Sequence, residues 1–249
     1  LYCNPNGEFP HNPEPLKENL KDLSELVIKE KADLGIVVDP DVDRLAFVSE
    51  NGEVFGEEYT LVACADYFLK NNPGNTVSNL SSSRALKDVT ELNGCKHFFS
   101  AVGEVNVVEM MKEKNAVIGG EGNGGIILPE LHYGRDALVG IALFLTYLSR
   151  LKISCSQLRS TYPNYFMSKQ KVELNKSLDV DLILENLKIK YSKEKINTDD
   201  GLKIDFEDSW VQLRKSNTEP IIRVYSEAKS QNSADELSSK FVNELNSFT

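Results

Sequence analysis

The chain has 249 residues, enough for one large domain or several small ones, each with its own core. Hydrophobic residues make up 41% and charged residues 27%, as in ordinary globular chains, and a formal net charge of -10 argues against a nucleic-acid backbone as partner. A small phosphorylated ligand stays compatible, because local cations and backbone N–H groups decide such binding rather than global charge.

The opening stretch to Pro15 is rich in Pro, Asn and Gly and reads as loop. Leu20, Leu23, Leu26 and Val27 recur at helical spacing and predict an amphipathic helix over Asn19–Lys31. Asp33–Val38 is a short apolar run of the kind that forms a buried strand, and it ends in an aspartate-rich loop. Arg44–Val48 reads as a second strand, followed by the turn signal Asn51-Gly52. Strand and helix then alternate: helix Tyr59–Lys70, strand Thr76–Leu80, helix Ser83–Asn93, strand His97–Phe99, helix Val105–Lys114, strand Ala116–Ile118 and a long helix Arg135–Leu151. That order predicts a parallel or mixed α/β sheet with right-handed crossovers.

After Ser160 the texture changes. Strands Lys169–Leu174, Gly201–Phe206, Trp210–Leu213 and Ile221–Glu227 surround a helix near Leu178–Tyr191, and a last helix spans Ser233–Leu245. The fold class expected is therefore α/β, with mixed-sheet α/β domains followed by a smaller α+β domain.

Cys3, Cys64, Cys95 and Cys155 lie far apart without a CxxC or Cys/His cluster, which reads as reduced thiols in a cytoplasmic protein. The longest apolar run, near Leu138–Leu148, is too short to span a bilayer, so no membrane partner is expected. The chain opens on Leu1 and a turn-rich stretch, from which we expect the numbering to start inside a longer protein.

Three segments carry chemistry. In Asp39-Pro40-Asp41-Val42-Asp43-Arg44 the carboxylates alternate at the end of a buried strand, so an extended loop would point them at one place. Clustered carboxylates repel unless a cation offsets them, and hard oxygen ligands favour Mg²⁺ or Ca²⁺, with a neighbouring phosphate favouring Mg²⁺; a solvated acidic turn is the alternative. Arg44 offers a fork for a phosphate oxygen. An EF-hand is excluded because Arg44 stands where its loop needs glycine.

The second segment is Gly119-Gly120-Glu121-Gly122-Asn123-Gly124-Gly125, read as a loop after the strand Ala116–Ile118. Its glycines permit close backbone approach, while Glu121 and Asn123 suit paired sugar hydroxyls; a plain glycine turn is the alternative. Without the Lys and Ser/Thr of a P-loop it does not read as a nucleotide site. The third, Arg214-Lys215-Ser216-Asn217-Thr218-Glu219-Pro220 with Arg223 beyond it, gathers cations, hydroxyls and backbone donors into an anion clamp, against the alternative of a polar hairpin. Ser81-Ser82-Ser83 reads as a helix cap, with phosphate binding at the helix N-terminus the alternative, Val102-Gly103-Glu104 as a turn on the same sheet edge, and His132, Tyr133, Arg135 and Asp136 as a rim, where a helix start alone would also explain Asp136.

The order DPDVDR, GEGNGG, RKSNTEP resembles the α-D-phosphohexomutases, and the resemblance runs over essentially the whole chain. It implies related α/β domains and a smaller C-terminal α+β domain: residues 1–54 as part of domain II with the metal loop, 55–160 as domain III with the sugar loop, and 161–249 as domain IV with the phosphate loop. By that resemblance Asp39, Asp41 and Asp43 ligate Mg²⁺ and Arg44 lies near the reacting phosphate. Glu121 and Asn123 hold sugar hydroxyls, and Arg214, Ser216, Asn217, Thr218 and Arg223 bind the other phosphate of a hexose phosphate substrate. The implied activity is mutase chemistry through a phosphoserine and a bisphosphorylated intermediate, with glucosamine, glucose or mannose phosphate as substrate.

The chain departs from the family in two places. The T-x-S-H-N-P phosphoserine loop is not in this sequence, where His11-Asn12-Pro13 follows Pro10. Asn123 and Gly125 stand where many relatives have serine and histidine. A chain lacking the serine is expected to be inactive by itself and to hold its metal weakly, which leaves non-catalytic phosphosugar binding as the alternative. A phosphatase with an aspartyl nucleophile in the D-x-D loop is a further one.

Overall fold

The computed structural model describes residues 1–173, 179–216 and 220–247. Contacts divide the chain into two compact units, Leu1–Pro163 and Asn164–Thr249.

In the first unit, helix α1 (Lys21–Glu30) follows a 3₁₀ turn at Lys17–Asn19 and is shorter than its periodicity suggested. Lys31, in a left-handed conformation, ends it. Strands β1 (Leu34–Val38) and β2 (Leu45–Ser49) pair antiparallel, Leu34 opposite Ser49 and Val38 opposite Leu45. The hairpin therefore turns through the aspartate loop.

Helix α2 (Glu57–Asn71) is buried along most of its length. Beyond it lie β3 (Asn75–Asn79), α3 (Ala85–Leu92), β4 (His97–Ser100), α4 (Glu104–Glu113), β5 (Ala116–Glu121), β6 (Gly125–Ile127) and α5 (Ala137–Leu151). Their sheet has the order β4-β3-β5-β6, with β3 parallel to both neighbours and β6 antiparallel to β5. The mixed α/β expectation holds. A short helix α6 (Cys155–Ser160), not anticipated from sequence, closes the unit with Ser154 and Gln157 as its capping box.

One core joins the hairpin to this sheet. Phe47 of β2 stacks on Phe144 of α5 at 3.8 Å between centroids, and Phe55 meets the same ring edge-on at 5.0 Å. A buried polar knot ties α2 to α5 and the segment after α6: Asp66 Oδ2 accepts from Tyr147 Oη at 2.6 Å, Lys70 Nζ at 3.0 Å and Tyr162 Oη at 3.1 Å.

The second unit holds β7 (Phe166–Glu173), α7 (Val180–Lys190), β8 (Lys195–Asn197), β9 (Leu202–Asp205), β10 (Trp210–Lys215), β11 (Ile221–Ala228) and α8 (Gln231–Asn246). Its antiparallel sheet runs β7-β11-β10-β9-β8, where β8 is a strand the sequence reading missed. Alternation sends Val211 and Leu213 into a core with Ile222, Val224, Phe241 and Ile183, so Trp210, Gln212 and Arg214 take the opposite face. Among the described residues, no helix is long and apolar enough to cross a membrane.

Candidate active site

The loop between β1 and β2 does not reach convergence by extended alternation, as the sequence suggested. It is a turn: Val42 N donates to Asp39 O at 3.1 Å, and Val42 takes a left-handed φ of 60°, unusual for a β-branched residue. Further bonds hold that conformation, Ala137 N to Val42 O at 3.1 Å and Asp39 N to Arg44 O at 3.3 Å. The turn still gathers the carboxylates, with one oxygen each of Asp39, Asp41 and Asp43 within 4.8 Å of one another.

The three are not equivalent. Asp39 is 2% exposed, and its Oδ1 accepts from the backbone N–H groups of Asp43 at 3.1 Å and Arg44 at 3.0 Å. Its Oδ2 accepts from Arg44 Nε at 2.6 Å. Burial pushes Asp39 upward, but the Arg44 N–H and guanidinium outweigh it and hold the carboxyl below the usual range. Asp43 is the opposite case. Burial lifts it, Arg135 opposes, and the neighbouring Asp39 and Asp41 charges carry it up to about 6. Asp41 is exposed.

Those features fit a hard divalent cation. Asp43 Oδ1 is buried with no hydrogen-bond partner among the described residues, and Arg44 Nε stands 3.7 Å away. An unpartnered buried carboxylate oxygen beside two more carboxylates is a ligand set in search of positive charge. Glu50, the twelfth residue counted from Asp39, turns elsewhere: its carboxylate accepts from Ser154 Oγ at 2.6 Å and Ser156 N at 3.2 Å.

The glycine segment is not the loop expected after Ile118. Gly119, Gly120 and Glu121 belong to β5, because β3 pairs with the two glycines on one side (Val77 opposite Gly119, Ser78 opposite Gly120) and β6 with all three on the other (Gly119 opposite Ile127, Glu121 opposite Gly125). The turn shrinks to Gly122-Asn123-Gly124. Gly124 lies at φ +85°, where a Cβ would sit 2.0 Å from Leu45 O, and Leu45 N donates to Gly124 O at 3.1 Å. The glycine turn thus rests directly on the start of β2, beside the aspartate loop.

Glu121, 6% exposed, is fully engaged. Its Oε1 accepts from Asn79 Nδ2 at 2.7 Å and Gly103 N at 3.2 Å, and its Oε2 from Arg135 Nη1 at 2.8 Å. Asn123 folds back, its Oδ1 accepting from Gly125 N at 3.2 Å. The serines after β3 reach the same turn, since Gly122 N donates to Ser82 Oγ at 3.0 Å. The expected capping is not what they do: the N-cap of α3 is Arg84, which makes no side-chain cap bond, and Ser83 Oγ, one residue earlier, accepts from Ala85 N at 3.2 Å.

Arg135 is the residue the sequence undervalued as a rim position. Its guanidinium pairs with Asp43, with Glu121 Oε2 at 2.8 Å and with Glu104 Oε2 at 3.4 Å, while its own N–H donates to Glu104 Oε1 at 2.9 Å. Asp136 fixes its place by capping α5, accepting from Leu138 N at 2.7 Å and Val139 N at 3.0 Å. The Arg135 side chain also fills the space beside Gly125, where a Cβ would meet its Cδ at 2.4 Å. The signal available in the sequence was a lone cation just before a helix cap.

In the second unit, Arg214 on β10 lies opposite Arg223 on β11. Arg214 Nε is 3.7 Å from Asp200 Oδ2, Arg223 Nη1 donates to Tyr225 Oη at 3.4 Å, and Ser216 N donates to Ile221 O at 3.0 Å. The expected clamp residues Asn217 and Thr218 lie outside the described residues.

Comparisons with known proteins agree in order along the chain. Family models described as phosphoglucomutase/phosphomannomutase alpha/beta/alpha domain II, alpha/beta/alpha domain III and C-terminal domain match residues 1–52, 56–165 and 168–244. A phosphoglucomutase/phosphomannomutase from Thermococcus kodakarensis is 39% identical over 95% of this chain and 52% of its own length. A probable phosphoglucosamine mutase from Methanopyrus kandleri is 34% identical over 97% of this chain and 54% of its own. The crystal structure of a phosphoglucomutase/phosphomannomutase family protein from Burkholderia thailandensis matches with a TM-score of 0.81 at 26% identity, over 95% of this chain and 52% of that one. An Aspergillus fumigatus N-acetylphosphoglucosamine mutase, solved with GlcNAc-6P and magnesium, shares the fold at a TM-score of 0.61 and 15% identity, over 84% of this chain and 51% of its own. The chain spans about half the length of the curated relatives it matches.

Proposed function

The chain belongs to the phosphoglucomutase/phosphomannomutase family, and on that premise we propose that the protein carrying it is an intramolecular phosphotransferase interconverting hexose 1- and 6-phosphates. The observation that carries the reading is Arg135, which joins Asp43 of the aspartate loop to Glu121 of the glycine segment and makes one site of the two.

In this reading a phosphoryl group passes from a seryl oxygen to the free hydroxyl of a hexose monophosphate, whose proton leaves to a base. The bisphosphate then reorients, and its other phosphoryl group returns to the serine. Asp39, Asp41 and Asp43 would hold Mg²⁺, which offsets the charge of the transferring group when bound. Arg44, fixed by Asp39, stands beside that position. Glu121 and Asn123 recognise hydroxyls, contacts that tolerate both orientations of the sugar. Arg214, Ser216 and Arg223, with Asn217 and Thr218, grip the phosphate that does not react. The three-part division 1–54, 55–160 and 161–249 belongs to this proposal, with glucosamine phosphate preferred over glucose or mannose phosphate on the GEGNGG form. Free thiols at Cys3, Cys64, Cys95 and Cys155 support a reducing, cytoplasmic setting.

An isomerisation assay on the protein as it occurs, with Mg²⁺ and a hexose 1,6-bisphosphate, tests it. Failure to interconvert the 1- and 6-phosphates of glucose, mannose or glucosamine would sink the mutase reading. The second reading is non-catalytic phosphosugar binding. Calorimetry with glucose 1-phosphate tests that, and no heat at millimolar ligand would rule it out.

A further inference from the structure

Three carboxylates share one guanidinium at the centre of the site. Arg135 contacts Asp43, Glu121 and Glu104, and its own side chain is only 18% exposed. Such an arrangement costs desolvation on every member, and it persists only where each charge finds an opposite one. The two oxygens of Asp43 divide the labour: Oδ2 faces Arg135, while the buried Oδ1 has no hydrogen-bond partner among the described residues. Asp39, by contrast, has its own cation in Arg44. Arg44 Nε also stands 3.7 Å from Asp43 Oδ1, so Arg135 is the closer of two positive charges on the aspartate carrying the open ligand atom.

The geometry points to Arg135 as an internal counter-cation that competes with the divalent ion for Asp43 and couples occupancy of that carboxylate to the sugar-binding Glu121. This rests on the aspartate loop being a divalent-cation site. An ion arriving at Asp39, Asp41 and Asp43 brings two positive charges next to the guanidinium, and like charges at such distances repel by more than the thermal energy. Arg135 then gives up its contact with Asp43 and keeps those with Glu121 and Glu104. Glu121 is otherwise held by the neutral donors Asn79 Nδ2 and Gly103 N, so Arg135 is its charged partner among the contacts described. Removing the guanidinium has two opposite consequences. The aspartate loop loses a competitor, so the divalent ion binds more tightly. Glu121 loses the charge that orients it, so the hexose phosphate binds less tightly.

Opposite signs separate this role from a merely structural one, because local unfolding would weaken both ligands. The test measures Mn²⁺ binding by electron paramagnetic resonance, and glucose 6-phosphate binding by calorimetry, in the wild-type chain, Arg135→Met and Arg135→Lys. Arg135→Met is expected to tighten Mn²⁺ about fivefold or more and to weaken glucose 6-phosphate about tenfold. Arg135→Lys keeps the charge but not the fork, so Mn²⁺ affinity stays within about twofold of wild type while glucose 6-phosphate still weakens. Mn²⁺ affinity in Arg135→Met that is unchanged or weaker overturns the inference and leaves the mutase reading standing. A wild-type chain that binds no Mn²⁺ overturns the inference together with the divalent-cation reading of the aspartate loop.

Discussion

Asp39 holds Arg44 from both ends, taking the backbone N–H on Oδ1 at 3.0 Å and the side-chain Nε on Oδ2 at 2.6 Å, and Glu14 Oε1 fixes the same guanidinium at 2.8 Å. The consequence is a loop closed on itself by a charged residue that water scarcely reaches. Asp39 therefore serves structure and, in the proposed function, cation binding at once, and the two can be separated.

Replacing Asp39 with Asn keeps the shape and some of these bonds but removes the charge. Asp39→Asn is expected to lower Mn²⁺ affinity at least about tenfold, and Asp39→Ala to cost in addition about 2–4 kcal/mol of stability by leaving Arg44 and two N–H groups without their acceptor. Urea unfolding alongside Mn²⁺ titration distinguishes them. Equal loss of stability in both variants would refute the division.

Asp43 sets a pH dependence. Its carboxyl is raised to about 6 in the folded chain against an ordinary 3.8, chiefly by burial and then by its acidic neighbours against the pull of Arg135. The folded state thus binds the proton more strongly than the unfolded one, so this group's stability is present below about pH 4 and is lost as pH rises through 6. In cation-free buffer, wild type minus Asp43→Asn should show stability falling between those limits, and added Mg²⁺ should reduce the fall. A flat difference curve would contradict it.

The two glycines at the end of the proposed sugar turn are required for different reasons. At Gly124 a Cβ would meet the backbone oxygen of Leu45 at 2.0 Å with φ at +85°, whereas at Gly125 it would meet the movable side chain of Arg135 at 2.4 Å. Gly124→Ala is expected to destabilise by about 2–4 kcal/mol and Gly125→Ala by about 1–2 kcal/mol, measured by urea unfolding. Gly125→Ala should also shift Arg135 and weaken glucose 6-phosphate binding. The reverse order of stabilities would argue against this packing.

In the proposed anion clamp, Arg214 lies across from Arg223, and like charges directly opposite on a sheet are unfavourable unless anions join them, as Asp200 does for Arg214 at 3.7 Å. Arg214→Ala is expected to weaken glucose 6-phosphate binding about tenfold or more with little loss of stability, and phosphate should raise the melting temperature of wild type but not of the variant. Equal stabilisation of both by phosphate would exclude Arg214 from the clamp.

Much of the fold could be read from pattern alone. Hydrophobic periodicity located α1, α2, α4 and α5, and the alternation of strand and helix called for the mixed sheet. Short elements escaped because they carry no period of their own. β6 is Gly125–Ile127, and only its ladder to Gly119–Glu121 makes it a strand, while Gly119 and Gly120 of the supposed loop are sheet through β3 as well. α6 and β8 are likewise too short for periodicity to show.

The aspartate loop divides along the same line. Its residue types alone determined that carboxylates would cluster and need positive charge, because that follows from charge and spacing in a few consecutive residues. Only the tertiary structure decided which positive charge each one meets. Arg44 is close in sequence to Asp39, but Arg135 reaches Asp43 and Glu121 only because α5 begins where β6 delivers it, through the bridge between Ile127 and Arg135. Local chemistry travels with the chain, whereas the pairing of distant charges depends on packing that no single segment encodes.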